Sequence, residues 1–255
     1  MNATIVWNNA EQGSEAWLEA RRGAITGSKA KDARDRLKNG APGQKMLTYA
    51  MDCAREREGG RGLVNGQNAA MRMGTEQEPI ARMKYEARTG ELVQEVGFAH
   101  TFDGKFGSSL DGLVDGTRGA VEIKTMVGST SLFGALVDGD ISDYRDQCLM
   151  AMWLLTLDWV DVVLWAPDLD LLRVIRVFRD EEEIAAFEKD MLAFDALVEQ
   201  YRLRLRGVLA EFAGASDESP DLFTQSGTET PSVHVDTRAP AATTTKPAEV
   251  LAPSF

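Results

Sequence analysis

The sequence is poor in the groups that bind soft metals, and it has no run long enough to cross a membrane. Of 255 residues only Cys53 and Cys148 are cysteine, and only two are histidine. No CxxC motif and no Cys/His cluster occurs, which argues against a structural zinc site or an iron–sulfur cluster. Two cysteines cannot build a disulfide framework, and both read as buried or inert thiols. The apolar runs fall far short of the ~20 residues of a membrane span. The opening MNATIVWNNAEQ lacks a basic start followed by an apolar core, so no secretory signal is expected and the expected compartment is a reduced cytosol. Positive charge is also short: 28 Lys and Arg face 40 Asp and Glu, a net charge of −12. Taken by itself, that sign argues against a polyanionic partner.

The charge is unevenly spread. Residues 214–255 hold five of the eight prolines, seven threonines and a net charge of −4. Such a segment cannot bury enough surface to offset its ordering entropy, so residues 214–255 are expected to be a disordered acidic tail and 1–213 the folded domain. By contrast, residues 21–45 carry eight bases (Arg21, Arg22, Lys29, Lys31, Arg34, Arg36, Lys38 and Lys45) against Asp32 and Asp35. That run is either a solvated helix pair or a surface that tracks phosphates.

Periodicity and turn residues predict helices over 17–22, 28–38 (with Ser28 as N-cap), 45–58 and 69–88, the last interrupted by Pro79. Strands follow over 92–101, 106–115 and 120–126, expected to form a three-stranded meander, then a helix over 143–157 and strands over 159–165 and 171–178. Asp180 caps a long final helix, with Arg202, Arg204 and Arg206 expected near its negative end. Trp17 and Trp153 read as core packing. The order implies an α/β fold of the α+β type, with a mixed central sheet flanked by helices.

The chemistry lies in Ser108-Ser-Leu-Asp-Gly-Leu-Val-Asp115 and Val121-Glu-Ile-Lys-Thr125. In a strand, Glu122 and Lys124 project to one face, and Asp111 sits on the preceding antiparallel strand. Carboxylates that converge at a sheet edge suit Mg²⁺ or Mn²⁺, and a neighbouring lysine can orient or activate a water. That is the minimum kit for metal-assisted phosphodiester hydrolysis. Taken alone, the same residues also suit a solvated Glu–Lys strand face. His100 reads as satisfying a strand end.

Further motifs supply context: Trp17-Leu-Glu-Ala-Arg21 through Thr26-Gly-Ser28, Met73-Gly-Thr-Glu-Gln-Glu78-Pro, and Tyr144-Arg-Asp-Gln147 with Met152-Trp153. With the Asp-Gly and Glu-x-Lys strands, this ordered set resembles the lambda-exonuclease or YqaJ-type viral recombinase family, a phage branch of the PD-(D/E)xK nuclease superfamily, over residues 14 to 165. The resemblance implies a restriction-endonuclease-like core. It implies a Mg²⁺-dependent (or Mn²⁺-dependent) 5′→3′ exonuclease acting on ends of double-stranded DNA. Asp111, Glu122, the Ile123 backbone carbonyl and Glu78 match its metal ligands, Lys124 its catalytic lysine and Gln147 its helix glutamine. Arg21 and Ser28 match residues that hold the terminal 5′-phosphate, with Ser109 as a further candidate. Any metal role for Asp103 is in doubt, because the connection there looks short. The resemblance also implies a trimeric ring, a single-strand annealing partner, and a phage or prophage protein in the host cytosol. An endonuclease on the same core, or a non-catalytic DNA-end-binding adaptor, are the alternatives.

Overall fold

The computed structural model describes residues 4–62 and 69–215. The expected tail, 214–255, lies outside the described residues apart from the end of the last helix. The elements are β1 Ile5–Asn8, α1 Glu15–Ala20, β2 Ile25–Thr26, α2 Ala30–Ala33, α3 Gln44–Arg57, α4 Ala69–Thr89, β3 Val93–Gln94 and β4 Phe98–Thr101. They continue with β5 Phe106–Ser109, β6 Gly112–Val114, β7 Gly119–Thr125, α5 Ser129–Ser131, a π-helical turn Leu132–Val137, α6 Arg145–Leu155, β8 Trp159–Ala166, β9 Leu171–Phe178 and α7 Glu181–Ala215. This is the expected mixed α/β fold, and both of its sheets mix parallel and antiparallel pairs. One sheet has the order β1-β4-β5-β2, the other β3-β6-β7-β8-β9.

Two of the expected strands are each divided between the sheets. The 92–101 segment breaks into β3 and β4, and 106–115 into β5 and β6, so the meander is a crossing between two sheets. Glycines permit the crossing by removing side chains where backbone or neighbours come close. A Cβ on Gly97 would lie 2.0 Å from the Asn8 carbonyl oxygen, and one on Gly112 would lie 2.2 Å from Val93 Cγ1. The consequence is that Asp111 sits in the Leu110–Asp111 break and not on a strand.

The five-stranded sheet buries both faces. Val121, Ile123, Val163 and Trp165 pack on one face with Ala81 and Tyr85 of α4, whose four-residue spacing makes one helical stripe. Ala120, Val160, Val162 and Leu164 share the other core with α6 and α7, including Trp153, Phe187 and Phe194. Tyr85 donates to Asp161 Oδ2 at 2.8 Å, and Arg176 grips the same carboxylate through Nε and Nη2, both at 2.8 Å. Asp161 is only 1% exposed, so this pairing is what makes its burial tolerable.

Two further expectations are corrected. The 28–38 helix is a short 3-10 turn followed by α2, and Ser28 caps nothing. The chain reverses at Gly40 (φ +82), and Asp35 instead accepts from the Lys45 amide at the start of α3. Second, α7 continues to Ala215, so Arg202 and Arg206 lie well before its end, where both pair with Glu58. Asp180 does cap it, accepting from the Glu183 amide at 2.8 Å. Part of the basic run is paired within the fold: Lys29 with Asp32, Lys31 with Asp143, and Arg34 with Asp146 and Asp190. Arg34 thereby ties the end of α2 to α6 and α7. Cys53 and Cys148 are buried free thiols, as expected.

Gly97→Ala should destabilise the protein by about 2–3 kcal/mol in urea denaturation, because the clash is with backbone that cannot rotate away.

Candidate active site

β7 places Glu122 and Lys124 on its α6-facing side, and Lys124 Nζ lies 2.7 Å from Glu122 Oε1. Glu122 is 3% exposed, and its Oε2 is buried without a hydrogen-bond partner. The break before β6 turns Asp111 toward the same strand, where its Oδ2 accepts from the Ile123 amide at 2.5 Å. Glu78 comes from the opposite side of the sheet, on the α4 stripe that continues through Ala81 and Tyr85. Gln77, one residue before it, accepts from Trp165 Nε1 at 3.0 Å, which fixes the rotation of that helical turn on β8. The four expected groups therefore come from both faces of one sheet and meet at its broken rim.

Their electrostatics follow from this proximity. Burial pushes Glu122 up to about 7, and Asp111 and Glu78 add to that rise while Lys124 opposes it. Burial also raises Asp111, against the pull of Lys124 and the Ile123 amide. Glu78 is raised by burial and by Asp111, with Arg82 restraining it. Burial alone would lower Lys124, but Glu122 and Asp111 outweigh it and hold the ammonium charged.

Among the described residues no three His, Cys, Asp or Glu side chains already stand as ligands around one point. Asp111 is turned onto an amide, Glu122 onto Lys124 and Glu78 onto Arg82. The donor set nonetheless fits a hard divalent cation. It offers only oxygen, its carboxylates repel one another, and one Glu122 oxygen is buried and unpaired.

Gln147 lies on α6 beside this face. Its stem packs near Gly27, where a Cβ would sit 3.5 Å from Gln147 Cγ. The next residue, Cys148, is raised to about 12 by burial and then by Glu122. Lys124 Nζ lies 5.5 Å from the centre of the Tyr144 ring.

Arg21 and Ser109 are brought together, with Arg21 Nη1 donating to Ser109 Oγ at 2.7 Å. The guanidinium lies 4.2 Å from the Trp17 ring centre and 5.1 Å from that of Phe98. Trp17 is therefore half-buried beside the site and not core, whereas Trp153 is core as expected. Burial lowers Arg21 below the usual arginine range, and no carboxylate among the described residues pairs with it. A desolvated guanidinium of that kind is a ready anion receptor. Ser28 is exposed on the turn after β2, next in register to β5. His100 Nδ1 lies 2.9 Å from the Thr101 carbonyl oxygen and stacks on Phe98, the strand-end role expected of it.

A cleft of about 840 Å³ is lined by Trp17, Ser109, Glu78, Asp111 and Arg82, so it touches one member of the Arg21–Ser109 pair and two of the carboxylates. The sequence reading passed over Arg82 and took Trp17 for core packing. Both stand four residues from a recognised partner on a helix (Glu78 and Arg21), a spacing that could have flagged them.

A carboxylate–lysine rim on a mixed sheet flanked by helices belongs to the restriction-endonuclease-like α/β class. Within it, the chain belongs to the YqaJ-like viral recombinase domain family, whose model matches residues 16–158. It is similar to the alkaline exonuclease LHK-Exo from Laribacter hongkongensis, with 32% identity, 78% of this chain and 100% of that chain covered, and a TM-score of 0.67. The structure of LHK-Exo in complex with dAMP gives 32% identity, the same coverage and a TM-score of 0.68. A phage-related exonuclease from Haemophilus somnus 129PT shares the fold, at 14% identity, with 73% of this chain and 96% of that chain covered, and a TM-score of 0.58. A search of the curated proteins finds no match. No helix among the described residues is long and apolar enough to cross a membrane.

The raised Glu122 has a stability consequence. Near pH 4.5 and below, it tends to be protonated in folded and unfolded chains alike. Between about 4.5 and about 7 the unfolded chain releases the proton while the folded one keeps it, so stability falls as pH rises. In EDTA, a urea series from pH 4.5 to 8 should show that decline in the wild type, amounting to about 1–3 kcal/mol. Glu122→Gln should make it shallower, leaving the part that Asp111 and Glu78 contribute.

Proposed function

We propose that this chain is a divalent-metal-dependent deoxyribonuclease, a 5′→3′ exonuclease that degrades one strand of linear duplex DNA and leaves 3′ single strands for phage-type recombination. The observation that carries this reading is the meeting of Asp111, Glu122 and Lys124 at the broken rim, where Asp111 stands two residues along the chain from Ser109, which Arg21 holds. The 32% identity to an alkaline exonuclease over that protein's whole length supports it.

Glu78, Asp111, Glu122 and the Ile123 carbonyl would hold Mg²⁺ or Mn²⁺. When bound, the ion would polarise the phosphate and lower the pKa of the attacking water. Lys124, kept protonated by Glu122 and Asp111, serves as a hydrogen-bond donor that orients the water and not as a base. Gln147 supports that water from α6. Arg21, with Ser109 and Ser28, captures the terminal 5′-phosphate, and this capture gives the reaction its direction. No base readout is needed, since digestion must tolerate every sequence. Residues 1–213 form the nuclease domain, and the acidic tail is a docking segment for a single-strand annealing protein. The working form is a ring-shaped trimer in the host cytosol.

The test is a time course on linear duplex labelled separately at each end, with and without Mg²⁺, beside closed circular DNA. Release from the 5′ end that needs Mg²⁺ and spares the circle is expected. Cleavage of the circle would make the protein an endonuclease.

Lys124→Ala and Asp111→Asn should each slow digestion at least about a hundredfold while leaving the circular dichroism spectrum unchanged. Removing the 5′-phosphate should slow the wild type and matter much less to Arg21→Ala; equal sensitivity in both would count against the clamp.

A further inference from the structure

The cleft beside Asp111 is an awkward place for a phosphodiester. Glu11, Glu78, Glu95 and Asp111 line it, and Arg82 is the cation that lines it with them. Arg82 stands on α4 with its side chain 11% exposed. Nη2 donates to Glu78 Oε1 at 2.8 Å, Nη1 donates to Glu95, and Nε is buried without a partner.

The two acidic partners differ in kind. Glu78 is fixed one helical turn away and belongs to the carboxylate cluster. Glu95 lies on the connection between β3 and β4, and its side chain is 73% exposed. Water can solvate Glu95 fully, so an exposed acid of that kind gains little from an ion pair. The arginine, buried and with one donor unmet, depends much more on having an oxygen ligand. A DNA phosphate offers Arg82 the same charge and can take the place of Glu95, whose carboxylate would turn out to water.

We infer that Arg82 is a phosphate-binding residue of this cleft, and that Glu95 holds its guanidinium as the group a DNA phosphate displaces. The inference rests on the nuclease reading and adds a substrate contact that neither the carboxylate cluster nor the Arg21 clamp supplies. Glu95 thereby acts as an internal competitor for the backbone.

The experiment measures binding of a 5′-phosphorylated duplex in EDTA from 50 to 200 mM salt, for the wild type, Arg82→Ala, Arg82→Lys and Glu95→Gln. Mg²⁺ titrations of digestion are run alongside. Arg82→Ala should weaken binding about tenfold and reduce the salt slope by about one. Arg82→Lys should restore the slope but not the full affinity. Glu95→Gln, a change at an exposed residue, should tighten binding about threefold. If Arg82→Ala changes only the Mg²⁺ requirement and leaves affinity and slope intact, the arginine serves Glu78 alone and the inference is overturned. Equal or weaker binding by Glu95→Gln overturns the displacement by Glu95. A wild type that neither binds nor digests duplex ends overturns the nuclease reading and this inference with it.

Discussion

Glu122 and Asp111 are carboxylates held near each other in a poorly solvated place, and the rest of the structure is arranged around that cost. Burial and mutual repulsion both favour their neutral forms, and the Lys124 ammonium is the main charge that opposes them. Such a cluster does not hold itself together. β7 supplies two of its members, the broken rim supplies the third, and α4 brings Glu78 across from the far face. The packing of Ala81 and Tyr85, the Gln77–Trp165 bond and the buried Asp161 pairing are what keep α4 in place. The site thus draws on stability generated in the core, the usual relation between a strained functional cluster and its scaffold.

Charge placement follows a consistent logic. The chain is strongly acidic, yet its early residues are basic. Inside the fold several of those bases meet acids, and Arg34 bridges α6 and α7 through Asp146 and Asp190. Arg21 is held differently. It is wrapped by Trp17 and Phe98 and touches a serine hydroxyl, so its charge has no carboxylate partner among the described residues. Overall net charge therefore says little about what this surface can bind; the informative quantity is which cations remain unpaired after folding.

Much of this was legible in the sequence. The element order, the pairing of Glu122 with Lys124 on one strand face, the Asp180 cap and the buried thiols all follow from local periodicity and side-chain chemistry. The motifs placed Asp111, Glu78, Gln147, Arg21 and Ser109 in one region. What could not be read was long-range. Nothing local distinguishes Gly97 and Gly112 from ordinary turn glycines, so the division of two strands between sheets stayed hidden. The helix expected over 28–38 fails because Asp35 reaches ten residues ahead to the start of α3. Nothing in the local sequence marks Arg82 as buried against the cleft, and Trp17 read as core because a large aromatic ring usually packs inside.

The break at Leu110–Asp111 has a mechanical meaning. Ser109, which touches the arginine, ends β5 in one sheet, and Asp111 lies just before β6 of the other, with a single residue between them. Two residues of extended chain span at most about 7 Å. On the proposed reading, the anchoring point and the cutting point are separated by a covalent ruler. The chain itself therefore caps the separation of the two points, whatever packs around them.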